Sequence, residues 1–355
     1  MLSRGRFAFT RLGRASAHGL GRTSLGPSGA PAGLLGRLND VRGWRRTAAA
    51  LGFCVGSTYY YDQYYVAHSD QAVAASVTTT TEVVPSVSTT GDSEVVQPYS
   101  PISERGLEIS KELRKTVKTK EDLEIVLYQY QPCPFCNKVR AFLDYHKIPY
   151  RAVEVDPLRK AELKWSDYKK VPVVVVNGNQ LNESTEIIAT LETVLSKELK
   201  EEMFTEEEKK WLFWLDDYFV HLLPPNIYRT ATESMQTFDY LTTEGNFSWF
   251  VRETSRYSGA VIMYLVAKKL QKKYNIGDPR EDLYGAVTSW VDTVNEKGTN
   301  FLGGSEPNVA DLAVFGVLRS LLNFDTFDDL MANTELRPWY ERMEIAVGEP
   351  SRLKD

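Results

Sequence analysis

From residue 124 the chain alternates between two hydrophobic periods. Residues 124–130, Glu124-Ile125-Val126-Leu127-Tyr128-Gln129-Tyr130, are β-branched and aromatic and predict a buried strand. Pro132-Cys133-Pro134 makes a turn. Val139, Phe142, Leu143 and His146 then recur at helical spacing and predict a helix over 135–146, with Pro134 suited to its first turn, where a missing N–H costs nothing. Residues 149–155 alternate into a second strand. This strand–helix–strand order implies a parallel pair. Residues 158–168 carry a second helical pattern. Val171-Pro172-Val173-Val174-Val175-Val176 reads as a third strand entered through a proline, and Asn177-Gly178-Asn179 as a tight turn into a short fourth. Asn182-Glu183-Ser184-Thr185-Glu186 opens a helix to about residue 199, with Ser184 or Asn182 as cap.

Beyond residue 205 the period is helical throughout. Trp211, Leu215, Tyr218, Phe219 and Leu222 form one apolar stripe, stopped by Pro224-Pro225. Residues 260–270 and 283–294 predict two more helices, the first with a basic end at Lys268-Lys269 and Lys272-Lys273. Asn308 caps another, with Asp311 three residues on. Residues 324–332 and 338–347 add short helices.

The amino-terminal hundred residues follow neither period. Before Asp40 there are six arginines and no acidic residue. That composition suits a transit peptide, the flank of a membrane anchor or a disordered basic tail. Residues 47–65 are uncharged up to a run of tyrosines and just long enough for a spanning helix if those rings lie at the interface. A retained anchor and one later cleaved are equally open. Residues 66–101, rich in Thr, Ser and Val, read as a flexible linker. The expected organisation is therefore 1–46 basic segment, 47–65 anchor, 66–101 linker, 102–200 α/β domain and 201–355 helical domain.

Composition changes this picture little. The 355 residues are 43% hydrophobic and 25% charged, and the net charge of −5 gives no sign of a nucleic-acid partner. Three cysteines, Cys54, Cys133 and Cys136, are too few for a disulfide framework. Two form Cys133-Pro134-Phe135-Cys136. Cys133 falls at the start of a helix, where unpaired N–H groups favour a thiolate, and Cys136 falls within it, placed to resolve a mixed disulfide. Half a zinc site is the rival reading, but no second Cys pair completes it and no metal is expected. Tyr128 and Tyr130 alternate on their strand, so both could face the cysteine turn and donate to a bound oxygen, or each could simply fill the core. Val171-Pro172 is expected to be a cis peptide beside the thiols. Glu183-Ser184, at a helix start, could take the charged γ-glutamyl end of glutathione or simply cap the helix.

The order β-α-β-α-β-β-α, with C-x-x-C after the first strand and X-Pro before the third, is that of thioredoxins and glutaredoxins. An all-helical half after it is the architecture of glutathione transferases. The match narrows further at Tyr128-Gln129-Tyr130, at 133–145 and at Lys170-Val171-Pro172. It extends through Pro225-Asn226-Ile227-Tyr228-Arg229-Thr230, Arg280-Glu281-Asp282-Leu283-Tyr284 and Phe327-Asp328-Asp329-Leu330-Met331. These runs, over about 123–347, resemble the membrane-associated type-2 prostaglandin E synthases. The resemblance implies isomerisation of prostaglandin H2, a lipid endoperoxide, to prostaglandin E2. It implies bound glutathione, haem held through the glutathione sulfur, a homodimer, and a removable anchor to Golgi or perinuclear membrane. A soluble cytoplasmic form after cleavage follows, and mitochondrial targeting stays open. By position it makes Cys133 the essential thiol, Tyr130 a hydrogen-bond donor, and Cys136 and Phe135 lining residues. Val171 becomes a backbone contact to glutathione, beside Pro172, and Glu183-Ser184 matches an Asp-Ser pair. A haem-bound form would degrade the endoperoxide to a hydroxy fatty acid and malondialdehyde. Two rivals remain: a glutaredoxin-like dithiol oxidoreductase and a non-catalytic glutathione and haem binder.

Overall fold

The computed structural model of the chain describes residues 102–157, 159–196, 203–237, 249–322 and 324–354. The basic segment, anchor and linker expected over 1–101 lie outside them. Among the described residues no helix is long and apolar enough to cross a membrane.

Strand β1 (Ile125–Gln129) buries alternate residues and sits inside a four-stranded sheet of order β2-β1-β3-β4. It pairs in parallel with β2 (Tyr150–Glu154) and antiparallel with β3 (Val173–Val176). β3 pairs antiparallel with β4 (Asn179–Asn182). The register of that hairpin, Val176 opposite Asn179, leaves a two-residue loop with Asn177 at φ 45° and Gly178 at φ 83°. Both angles lie in the left-handed region, the demand that an Asn-Gly pair meets.

Three helices complete this half. α1 (Glu104–Thr116), which the apolar pattern did not single out, lies on α3 (Ser184–Leu195). Arg114 donates to the carbonyls of Thr193 (2.6 Å) and Ser196 at the end of α3. α2 (Pro134–Tyr145) buries Val139, Phe142 and Leu143 as its period predicts. The helix expected over 158–168 does not form. Among the described residues of that range the only helical piece is a 3-10 turn, Ala161–Leu163, preceded by Lys160 at φ 47°. Asp156 Oδ1 takes the Arg159 N–H and Glu162 Oε2 takes the Asp156 N–H, which ties a turn together, and the left-handed backbone at Lys160 breaks the helical path.

The helical half comprises α4 (Glu206–Trp214), α5 (Val220–Ile227), α6 (Ala231–Gln236), α7 (Trp249–Lys273), α8 (Pro279–Glu296), α9 (Val309–Arg319), α10 (Asp325–Asn333) and α11 (Leu336–Val347). Pro224 and Pro225 do not stop the apolar stripe; both lie inside α5. A π turn over Leu215–Phe219 precedes it, and the Asn226 side chain donates back to the Leu222 carbonyl (2.8 Å), covering an acceptor in the last turn. The predicted box at α9 forms: Asn308 Oδ1 accepts from Asp311 N–H (3.0 Å), and Asp311 Oδ2 from Asn308 N–H (3.1 Å).

The described residues fall in one compact unit, and one apolar core runs from β1 and α2 into α8, α9 and α11. The contact is closest where Gly316 of α9 meets α2. A Cβ there would lie 2.6 Å from the Asn137 carbonyl oxygen and the Lys138 Cα. Asp144 of α2, fully buried, pairs with Arg319 of α9 at 2.8 Å. It also accepts from the Ser351 N–H (3.0 Å), and Leu353 N–H reaches the Tyr150 carbonyl at 2.8 Å, covering the β2 edge of the sheet.

Candidate active site: a thiol at the start of α2

Cys133 is the N-cap of α2, in an extended conformation, with Pro134 next to it. Its N–H donates to the Tyr130 carbonyl at 3.0 Å, which closes the turn after β1. The Asn137 side chain donates to the Gln131 carbonyl (2.8 Å) and the Cys133 carbonyl (3.0 Å), clamping both sides of the turn. Cys133 is half-buried and Cys136 fully buried; neither is in a disulfide.

The two thiols are driven apart. Burial works against ionising Cys133, but hydrogen bonds from the Cys136 thiol and from the N–H groups of Cys136 and Phe135 outweigh it and lower its pKa. Burial raises Cys136 well above its ordinary value, and the hydrogen bond and charge of Cys133 add to that. The Glu154 carboxylate opposes ionisation of both. It is held at the turn by the Gln131 N–H (2.6 Å) and the Gln129 amide (3.2 Å). The arrangement yields one nucleophile and one hydrogen-bond donor rather than two equivalent thiols.

Cys133, Cys136, Tyr130 and Val171, four of the expected site residues, gather here. Cys136, Val155, Leu163, Val171 and Val173 form one apolar cluster, with Tyr128, Tyr130, Cys133 and Tyr168 packed on it. Val171-Pro172 is cis. Phe135 packs toward the main core instead. The cap of α3 is neither Asn182 nor Ser184. It is Glu183, at φ 61°, and no side chain bonds to the first-turn amides. Asn182 is engaged instead by the Gln180 amide (2.8 Å). Glu183 Oε1 accepts from the Tyr168 hydroxyl at 2.6 Å.

One part of the site was missed. Lys138, fully buried on α2, donates to both carboxylate oxygens of Asp216 (2.8 Å each) and to the Thr185 hydroxyl (2.6 Å). Thr185 in turn donates to Asp216 at 2.7 Å. This triad ties the thiol helix to the start of α3 and to the π turn of the helical half. Its sequence signal was a lysine just before an apolar position of α2 and an aspartate inside an apolar stripe. A cavity of about 410 Å³ lies at the other end of α2, lined by Phe142, His146, Glu192, Phe204 and Asn308 among others, and no expected site residue borders it.

The glutathione S-transferase N-terminal domain family matches residues 127–195. Prostaglandin E synthase 2 of Danio rerio is 43% identical over 275 residues, 65% of this chain and 73% of that protein. Prostaglandin E synthase 2 of Mus musculus is 41% identical over 274 residues, 64% and 71% of the two chains. The chain belongs to the prostaglandin E synthase 2 family. Glutaredoxin 2 of Salmonella typhimurium, solved in complex with glutathione, shares 17% identity over 63% of this chain and 94% of its own at a TM-score of 0.39, too distant a likeness to bear on the site.

The family-specific runs of the helical half converge far along the chain from the thiols. Arg280 of α8 is buried; it donates to Asn226 Oδ1 (3.1 Å) and pairs with Asp329 (3.1 Å). Arg229 pairs with Glu233 (2.9 Å), which lies 3.7 Å from Arg280. Asn226 also donates to the Pro279 carbonyl (2.7 Å), and its own carbonyl accepts from Thr326 at 3.4 Å. In this prostaglandin E synthase 2 relative those runs form a structural node joining α5, α6, α8 and α10.

Proposed function

We propose that the chain isomerises prostaglandin H2 to prostaglandin E2 with Cys133 as its working thiol. The observation that carries this reading is the unequal pair: a half-buried thiol made acidic at the head of α2, beside a fully buried one kept protonated. Isomerisation needs one nucleophile that is returned at the end, not a dithiol that is consumed. The Cys133 thiolate attacks one peroxide oxygen; the S–O bond forms, the O–O bond breaks, and the other oxygen leaves as an alkoxide that takes up a proton. Loss of a proton from the ring carbon bearing the S–O oxygen then forms the carbonyl and expels the thiolate. Tyr130, packed in the same cluster, is the proposed donor to the departing alkoxide.

Glutathione belongs to this reading as a bound thiol ligand. The first-turn amides of α3 have no side-chain cap and are suited to a carboxylate, and Glu183 beside them is suited to an ammonium. Val171 belongs to the apolar cluster, and its cis bond to Pro172 is the stretch along which an extended peptide would lie. Haem enters only through the glutathione sulfur, with malondialdehyde release as its signature. Among the described residues no group of three or more His, Cys, Asp or Glu side chains is placed to hold a metal ion. A homodimer and an anchor within residues 47–65 complete the proposal, with Golgi or perinuclear membrane as the location and a soluble form after cleavage.

The hydrogen bond between the two thiols favours a second reading, thiol–disulfide exchange of the glutaredoxin kind. One set of assays on the purified chain separates them: prostaglandin H2 turnover with glutathione, and reduction of a glutathione mixed disulfide. Prostaglandin E2 formation with negligible disulfide reduction supports the isomerase. The reverse result overturns it.

A further inference from the structure

We propose that the outward face of α7 is a contact for an anionic phospholipid surface, separate from any anchor in the amino-terminal region. The helix is apolar on two sides. Ala260, Met263, Val266, Ala267 and Leu270 are buried and pack with Tyr228. On the opposite side Tyr257, Val261 and Leu265 are 58%, 62% and 59% exposed. Their spacing of four places them in one stripe, and a stripe of that kind on a helix already buried by its other face has no role in the core.

Charge decides what covers it. Lys268 and Lys272 continue the same stripe, and Lys269 and Lys273 flank it; all four are exposed. Over the whole of α7 the one acidic residue is Glu253. A second copy packed antiparallel would offer each group of four lysines a single carboxylate. A layer of anionic headgroups offers as many as the lysines can reach, within a Debye length of the surface. The rest of the stripe suits the boundary between headgroups and acyl chains. Val261 and Leu265 insert shallowly, and Tyr257 and Tyr264 are rings of the kind that settle at that depth. Lys268 Nζ lies 5.8 Å from the centre of the Tyr264 ring, so its apolar stem runs beside the ring while the ammonium stays at the rim. For an enzyme whose proposed substrate is a lipid, such a face would hold the folded part against the bilayer that carries it.

The test uses the full chain, so its readout has to be local. Amine-reactive footprinting, resolved by peptide mass spectrometry, follows Lys268 and Lys272 with phosphatidylcholine vesicles containing or lacking phosphatidylserine. The expected result is severalfold slower acylation of both lysines with phosphatidylserine vesicles only. The surface variant Val261→Asp/Leu265→Asp restores the solution rate even if the protein still sediments with the vesicles. Lys268→Glu/Lys272→Glu, followed by deuterium exchange over residues 257–273, weakens vesicle protection by roughly tenfold or more. Unchanged acylation overturns the proposal. So does equal protection in the Asp variant, or protection that grows with protein concentration in the absence of vesicles, which would mark a second copy.

Discussion

The thiol turn and the Arg280 node both contain runs that carry the family resemblance, and they treat charge in opposite ways. In the node every formal charge meets its opposite: Arg280 with Asp329 and Glu233, Arg229 with Glu233. At the thiol turn the balance is left uneven. One sulfur is made acidic, its neighbour is kept protonated, and a carboxylate held by Gln131 and Gln129 opposes both. Sequence that distinguishes a family therefore marks two different things. One cluster carries the proposed chemistry; the other fixes four helices of the helical half.

The sharpest way to break this division is Cys133→Ser, which should abolish prostaglandin E2 formation while the thermal midpoint stays put. Retained turnover would remove Cys133 from the mechanism. The converse variant, Arg280→Met, should cost about 1–3 kcal/mol, because it leaves the buried Asn226 Oδ1 without its donor, while Glu233 keeps Arg229 and the half-exposed Asp329 turns to water. Urea unfolding reads that loss, and activity per folded molecule should be unchanged; a selective loss of turnover would make the node part of the site. Gly316→Ala tests the join between the two. The new methyl meets the backbone of Asn137 and Lys138, so α9 must move off α2 at a cost of about 1–3 kcal/mol, and the iodoacetamide reactivity of Cys133 should change with it. The smallest effects are titrations. Cys136→Ala removes a hydrogen bond that favours the Cys133 thiolate, so the alkylation midpoint should rise. Glu154→Gln removes an opposing charge, so it should fall. Shifts of the same sign in both variants would refute the account of the turn.

What could be read beforehand was local. β1, the Asn177-Gly178 hairpin, the α9 capping box and Cys133 at a helix head each rest on residues within a few positions of one another. The helix over 158–168 failed for a local reason too: its apolar residues had the right period, but Lys160 takes up a left-handed backbone that an α-helix excludes. Pro224-Pro225 misled because the helix runs on through both of them, directly after a π turn. The Lys138–Asp216–Thr185 triad was invisible for a different reason. Its members lie 31 to 78 positions apart, and nothing near Lys138 in sequence shows that its charge is met by the other half.

The pairing of Asp144 with Ser351 bears on how the molecule is made. The two lie 207 positions apart, and Arg319, the other partner of Asp144, comes 175 positions after it. On a ribosome the α/β half is exposed long before either arrives. Until then Asp144 lacks its cation and the β2 edge is uncovered. The thiol helix of a nascent chain thus gains its packing partner, and Asp144 its cation, only once α9 has been made, so its last contacts close between the halves rather than within the first.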